Sequence, residues 1–548
     1  MDDLIRKYVL QNAIRYNGKA NPGAIIGKVF GEKPELKEKG KEVSQKINEI
    51  VNEVNSLSVE EQTEELKKLA PELLEKKKEE RDIFAFLNLT GKVNTAFPPG
   101  PEKYPHIGHA KAILLNYMLA KQTKGRFILR FEDTNPSTVK KEYYEAMTND
   151  FKWLGVKWDK LIYASDHMSL FYEKAEELIK KGLAYMDKSS QEEVKESREK
   201  GKGSKYRDNS SDENLQLWKE MKDATEGEMI LRLKIDLEHQ NSTMRDPTIF
   251  RIIYEEHPMQ KKKFRVWPNY DFQNAIMDSF SDITIRLRSK EFELRGELQT
   301  WIQEKLGMKI TKTFEFGRFN LKGVESSGRV IREKLEKGEL IGWDDPSLTT
   351  LVALKRRGFL PEAIKSFVLS TGISKAEATL TWDDLVMHNK RLLDETANRY
   401  SAVFDPVEMT INDVPHMQVE LNLNPNEKKG GRKFKVNEKF ILSKNDIDNM
   451  KEGEVTRLMD CVNIMKNKSK VCFNSVKFEE FKGKRVINWL PGEGNIKIEV
   501  MMPDKEIIKG EAEKNISNLK EGDVIQFERF GFCRLDDKKN WKFWYTHN

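Results

Sequence analysis

Two histidines three residues apart, His106 and His109, lie in the stretch FPPGPEKYPHIGHAKA (97–112), together with four prolines and two glycines. At the start of a helix an imidazole can donate a hydrogen bond to a phosphate oxygen and, if protonated, adds positive charge where a transferring phosphate builds up negative charge. The helix N-terminus itself gathers unpaired backbone N–H groups and a partial positive charge, so anions dock there. Gly108, between the two histidines, offers a side-chain-free surface for a flat base or a ribose. Taken alone, the same spacing also suits capping or surface residues, so the surrounding elements decide.

The preceding segment RDIFAFLNLTGKVNTAF (81–97) is rich in residues suited to a buried strand, and HAKAILLNYMLAKQ (109–122) repeats apolar residues every three or four positions. The histidines therefore occupy a strand-to-helix turn. Strand-like FILRFED (127–133) and DKLIYASD (159–166) then alternate with amphipathic helices, and RVWPNYDF (265–272) continues the pattern. That alternation predicts βαβ units and a parallel sheet.

Other regions read differently. Residues 1–82 form a helical appendage ending in the charge run LEKKKEERD (74–82). Residues 187–262 form a polar insertion within an α/β domain spanning 83–343, and 344–403 are helical. From 404 to 548, short alternating runs separated by Gly, Asn and Lys-Gly turns predict one or two small β-barrels.

Composition removes several classes of function. Of 548 residues 34% are charged and 38% apolar, and the net charge is only +6, which permits a polyanionic partner without demanding one. The three cysteines form no CxxC pair, so neither a disulfide scaffold nor a cysteine zinc site is supported. No apolar run approaches the roughly 18 residues of a membrane span. The expectation is a cytoplasmic, reduced protein that engages no membrane.

PHIGHA, following a strand and a proline-rich turn, resembles the HIGH signature of class I aminoacyl-tRNA synthetases. GRFILRFEDTNP (125–136), WPNYDFQNAIMDSFSDITIRLRSKEFE (267–293) and IGWDDPSLTTLVALKRRGFLPEAIKSFV (341–368) resemble, in order, the landmarks of the glutamyl/glutaminyl subgroup. NPGAIIGKVFGEKPEL (21–36) and GDVIQFERFGFCRLD (522–536) are similar to the archaeal glutamyl form.

The resemblance implies a Rossmann-type catalytic domain with an acceptor-binding insertion, a helical stem-contact region and anticodon-binding β-barrels. It implies ATP-dependent activation of L-glutamate to glutamyl-adenylate and transfer to tRNA-Glu, with tRNA-Gln left open as a second acceptor. Mg²⁺ accompanies the ATP, and a monomer is the expected form. His106, Gly108 and His109 would meet ATP, joined by Ser327, Gly328 and Arg329 from a loop where the family carries KMSKS. Arg329 would act with the two histidines in catalysis. Glu132 would receive the α-amino group, Tyr270 and Asn274 would complete the amino-acid pocket, and Arg288 would face the side-chain carboxylate. Glutaminyl enzymes carry a small uncharged residue at that last position, so Arg288 favours glutamate.

Three departures stand out. Ala96 replaces an arginine that in the family binds the substrate carboxylate, a loss of about 1.5–3 kcal/mol unless Lys103 or Arg286 compensates. Gly328 replaces the loop lysine. The insertion lacks the cysteines of a zinc segment, so no zinc is expected. The alternatives are a glutaminyl-tRNA synthetase, against which Arg288 argues, and a catalytically weakened paralogue acting as an RNA-binding scaffold, motivated by Ala96 and Gly328. For tRNA, the basic candidates are Lys188, Lys195, Arg198, Lys200, Lys202, Lys205 and Arg207 in the insertion, and Lys355, Arg356 and Arg357 beyond it. Arg432, Lys433, Lys435 and the Trp489 region are candidates for anticodon contacts.

Overall fold

A computed structural model describes the chain except residues 16–17, 74–81, 200, 326, 425 and 469. It divides into two compact units, Met1–Asp82 and Ile83–Asn548. In the first, helices Asp2–Arg15, Gly40–Val54 and Val59–Leu69 bury Val9, Leu10, Ile47, Val51 and Leu66 against one another. Ser58 starts the third helix with a reciprocal cap: the Glu61 N–H donates to its hydroxyl at 3.2 Å, and its own N–H donates to the Glu61 carboxylate at 2.8 Å. Arg6 reaches Glu53 at 2.7 Å and also pairs with Glu65, tying the three helices together. The charge run expected at 74–82 falls, apart from Asp82, outside the described residues.

The second unit contains the parallel arrangement expected from the alternating pattern. Strands Thr95–Phe97, Phe127–Phe131 and Lys160–Tyr163 form one parallel sheet, and Ile285–Ser289 pairs in parallel with Lys312–Phe316. The two sheets meet at Asn94, whose carbonyl accepts from the N–H groups of Thr284 at 3.0 Å and Ile285 at 3.3 Å. Two residues further along, the Asn116 side chain does what a ladder would do: it donates to the Leu287 carbonyl at 2.7 Å and accepts from its N–H at 3.0 Å. Asn116 lies on helix Ile107–Gln122, so this pairing fixes the helix over the junction. The strand before the turn is only Thr95–Phe97, shorter than the apolar stretch 81–97 suggested, because Ala85–Leu87 coils into a 3₁₀ turn.

The insertion and the strands that flank it form a four-stranded antiparallel sheet of Ala184–Asp187, Ile230–Leu233, Thr248–Ile252 and Val266–Pro268, so the strand expected at 265–272 pairs antiparallel here and does not continue the parallel sheet. Arg207 is braced against Asp246 at 2.6 Å, a structural role in place of the expected phosphate contact. Lys188, Lys195, Lys202 and Lys205 are exposed. Lys200 and the side chain of Arg198 lie outside the described residues.

Helices Leu351–Arg357, Pro361–Ser370 and Trp382–Thr396 follow, with a strand the helical pattern hid, Ala378–Leu380, pairing with Phe319–Leu321. Two of the basic residues expected to face RNA here are braces. Arg356 binds Asp344 at 2.6 Å and Asp536 at 2.7 Å and lies 4.1 Å over the Trp544 ring. Arg357 is buried, donating to the carbonyls of Pro346 at 3.0 Å and Thr546 at 2.8 Å. Lys355 remains exposed. Gly358 turns the chain with φ +95°, and a Cβ there would stand 2.8 Å from the Thr546 hydroxyl, so residue type and close approach both require glycine.

The last part is β-rich as expected, but its ladders do not close into a ring among the described residues. The largest sheet has seven strands, running from Arg399–Tyr400 at one edge to Ala402–Phe404 at the other. Only Ser401 separates those edges in sequence, so the chain itself, rather than a ladder, crosses the seam. Arg432 clamps this seam: its guanidinium binds Ser401 Oγ at 2.8 Å, Glu513 at 2.7 Å and Glu528 at 3.0 Å, and is fully buried. It therefore does not meet an anticodon base. Nor is Trp489 open to stacking: it is buried and its Nε1–H donates to the Met459 carbonyl at 2.9 Å. Lys433 and Lys435, alternating with the buried face, are exposed.

Candidate active site

The histidine turn opens onto a cavity of about 580 Å³ in the second unit. His106 is the N-cap of helix Ile107–Gln122, with extended backbone (φ −125°, ψ 178°). Its Nδ1 accepts from the Gly108 N–H at 3.0 Å, and the Nδ1 of His109 accepts from the His106 N–H at 3.2 Å. An acceptor Nδ1 leaves the proton of a neutral imidazole on Nε2. Burial, reinforced by the charge of Lys103, depresses both imidazoles, His109 to about 3 and His106 well below its usual value. The histidines are thus neutral Nε2–H donors near pH 7, and the added charge considered from sequence does not arise. Gly108 also has a second purpose: a Cβ there would meet the His106 ring at 2.8 Å, so its missing side chain makes the cap possible.

The turn is held from the other side as well. The Ile107 N–H donates to the Thr349 carbonyl at 3.1 Å and the Leu351 N–H to the Pro105 carbonyl at 2.8 Å. Tyr104 stacks on Trp343 with ring centroids 5.3 Å apart. The segment containing WDDP therefore braces the histidine turn.

At the floor lies a buried ionic network. Glu132, at the end of strand Phe127–Phe131, binds Arg130 Nε at 2.6 Å and accepts from the Gln273 amide. Asp278 sits between Arg130 Nη2 at 2.8 Å and Arg286 Nη1 at 2.7 Å. Burial raises the Glu132 carboxyl against the pull of Arg130. Tyr270, at the start of helix Tyr270–Phe280, lines the cavity, and burial pushes its phenol up to about 12. Arg288 lines it from strand Ile285–Ser289, with Glu315 at 3.3 Å and the Gln299 amide oxygen at 3.0 Å. Burial and neighbouring Arg286 lower the Arg288 guanidinium from its usual range.

Of the residues expected from sequence, His106, Gly108, His109, Glu132, Tyr270 and Arg288 come together on this cavity. Asn274 does not line it; it is fully buried one turn beyond Tyr270, accepting from Arg286. Ser327, Gly328 and Arg329 also lie outside the wall. Ser327 is the N-cap residue of helix Gly328–Glu336, and Arg329 is 82% exposed, 3.7 Å from Glu333. Ala96 is wholly buried in the apolar core with Ile128 and Ile162. Arg286, one of its two suggested substitutes, is already bound to Asp278 and to Gln299 at 2.9 Å.

Sequence reasoning missed three cations in the wall: Lys111, Arg251 and Arg318. Lys111 donates to the Gly317 carbonyl at 3.1 Å and lies 4.3 Å over the Phe319 ring, and burial lowers its ammonium to about 8. Arg251 donates to the Pro268 carbonyl at 2.9 Å and to the Asn269 side chain, both neutral groups. An arginine inside the apolar strand TIFRI was the available signal. In all, six basic side chains face three carboxylates around the cavity, a balance suited to a polyanionic ligand.

Residues 92–395 match the family described as tRNA synthetases class I (E and Q), catalytic domain, and 397–479 and 486–536 match its two anti-codon binding domains. The chain is 40% identical to the glutamate–tRNA ligase of Pyrococcus furiosus, covering 98% of both chains, and 36% identical to that of Methanothermobacter marburgensis, covering 100% of both. A solved glutamate-tRNA synthetase from Elizabethkingia anophelis is similar at 20% identity with a TM-score of 0.42, covering 56% of this chain and 72% of that one. With the family's catalytic and anti-codon binding domains matched in order, and near-complete relatives at this identity, the chain belongs to the class I tRNA synthetases of the glutamyl and glutaminyl group.

Proposed function

We propose that this chain ligates L-glutamate to tRNA-Glu in two steps within the described cavity. An oxygen of the glutamate α-carboxylate attacks the α-phosphorus of ATP, the bond to the β-phosphate breaks, and glutamyl-adenylate and pyrophosphate form. A hydroxyl of the terminal ribose of tRNA then attacks the acyl carbon, gives up its proton, and AMP leaves. The observation that carries this reading is the placement of Arg288 on one cavity with the histidine turn and Glu132.

In this reading the Nε2–H groups of His106 and His109 donate to phosphate oxygens without needing protonation. Glu132, held rigid by Arg130 and Gln273, receives the substrate ammonium, and Tyr270 closes the amino-acid pocket. Arg288 offers paired N–H donors to the side-chain carboxylate, which an amide cannot match. Asn274 acts only through Arg286. Mg²⁺ enters as part of MgATP: among the described residues no cluster of three His, Cys, Asp or Glu could cage an ion, and the triphosphate itself supplies oxygens. The insertion would hold the acceptor end of tRNA, helices 344–403 the stem, and the β-rich region the anticodon, through exposed lysines such as Lys433 and Lys435. The protein would act as a cytoplasmic monomer.

The test is aminoacylation of tRNA-Glu and tRNA-Gln transcripts with labelled glutamate and, separately, glutamine. Glutamate on tRNA-Glu supports the proposal, and glutamate on tRNA-Gln would widen it. Glutamine charging alone, or tRNA binding without charging, overturns it.

A further inference from the structure

The loop that approaches the histidine turn contributes no charge to the cavity wall. From Ser327 to Glu336 no side chain lines it; Arg329 faces solvent beside Glu333, and Arg332 Nη1 donates to the Glu102 carbonyl at 2.9 Å. The last of these bonds fastens helix Gly328–Glu336 to the proline-rich turn one residue before Lys103. At its N-terminal residue the helix meets Lys103 directly. A Cβ on Gly328 would lie 2.7 Å from Lys103 Cδ, 3.3 Å from its Cβ and 3.5 Å from its Cγ. The lysine stem thus lies across the glycine, and any side chain at 328 would push it away.

Lys103 itself lines the cavity beside the two imidazoles, and its charge acts on both of them. The residue is half-buried and burial lowers its ammonium from the usual range, so the charge held there meets an anion in surroundings that screen it poorly. We propose that Lys103 is the phosphate-binding cation of this site, presented from the histidine turn, and that residue 328 is glycine because the Lys103 stem occupies the space above it. The charge that a loop residue could have supplied is carried instead by the turn. This assignment rests on the reading of the cavity as an ATP site, and makes Lys103 a catalytic residue in contact with the nucleotide.

Lys103→Met keeps the stem and removes the charge. It is expected to weaken binding of a non-hydrolysable ATP analogue, measured by calorimetry, about 10- to 150-fold, the equivalent of one lost charge-assisted bond. Glutamate-dependent pyrophosphate exchange, with tRNA present, should fall at least as far while KM for glutamate changes less than about threefold. Gly328→Lys alone should lose activity, since the two side chains collide. Lys103→Gly combined with Gly328→Lys moves the ammonium to the loop and should recover at least about tenfold over Lys103→Met. Nucleotide binding and exchange unchanged in Lys103→Met would overturn the assignment, as would a gain of activity from Gly328→Lys with Lys103 in place. A double variant no better than Lys103→Met would overturn the role given to residue 328. If the unaltered protein shows no exchange with glutamate, the proposed function fails, whereas the analogue-binding comparison still judges Lys103.

Discussion

The amide oxygen of Gln299 lies between two buried guanidiniums, 2.9 Å from Arg286 Nη2 and 3.0 Å from Arg288 Nη1. One neutral acceptor therefore spaces two like charges at the floor of the cavity. Its nitrogen donates to Asp271 at 3.1 Å, which in turn binds Arg295 at 2.7 Å, so the spacer is itself held in place. Arg286 is paired with Asp278, while among the described residues the ionic partner of Arg288 is Glu315 at 3.3 Å.

Arg288→Ala should raise KM for glutamate about 10- to 150-fold, the range of a lost charge-assisted bond, with KM for ATP unchanged. Steady-state aminoacylation with each substrate varied in turn checks this. Equal losses for glutamate and ATP would remove Arg288 from the amino-acid pocket.

Asp278→Asn should cost about 3–5 kcal/mol of stability, because it leaves two buried guanidiniums short of a negative charge. Both Arg130 and Arg286 lean on this one carboxylate, at 2.8 and 2.7 Å. Denaturant titration followed by tryptophan fluorescence measures the effect, and a change under about 1 kcal/mol would contradict the network.

The histidine turn should be acid-sensitive. His109 is depressed to about 3 in the folded protein against roughly 6.5 when unfolded, so the unfolded chain binds the extra proton between those values. Its contribution to stability is complete above about pH 6.5 and is lost progressively as pH falls toward 3. His109→Gln should therefore show a smaller drop in melting temperature between pH 7 and pH 5 than the unaltered protein. An identical drop would mean that the imidazole is protonated already in the fold.

In the β-rich region, Arg432→Met and Lys433→Ala should separate cleanly. The first unpairs Glu513 and Glu528 at the seam and should destabilise by about 3–5 kcal/mol. The second removes an exposed charge, should leave stability within about 0.5 kcal/mol, and should weaken tRNA binding with a shallower salt dependence. Melting curves and filter binding at two salt concentrations read both.

Local pattern carried much of this architecture. The strand-turn-helix around His106 follows from an apolar run broken by a proline-rich turn, strand Phe127–Phe131 from a short apolar run buried at every position, and the C-terminal strands from a periodicity of two, all of which a single segment displays. Period two even separates Arg432 from Lys433, since Arg432, Phe434 and Val436 share the buried face. Pairings between distant segments left no such trace. Glu132 with Gln273, Lys103 with Gly328 and Arg356 with Asp536 join residues 141, 225 and 180 positions apart, and each changes what a basic or acidic residue is doing. A run such as KRRGF looks like a solvated basic patch until its partners are known.

Arg356 carries a mechanical implication. It grips Asp536 in the terminal sheet with one end of its guanidinium and Asp344, in the segment that braces the histidine turn, with the other. With Arg357 bridging Pro346 and Thr546 beside it, the far sheet and the imidazoles are thus geared through two adjacent guanidiniums, so a small rocking of that sheet must either break a pair or tilt the cleft where the nucleotide would sit.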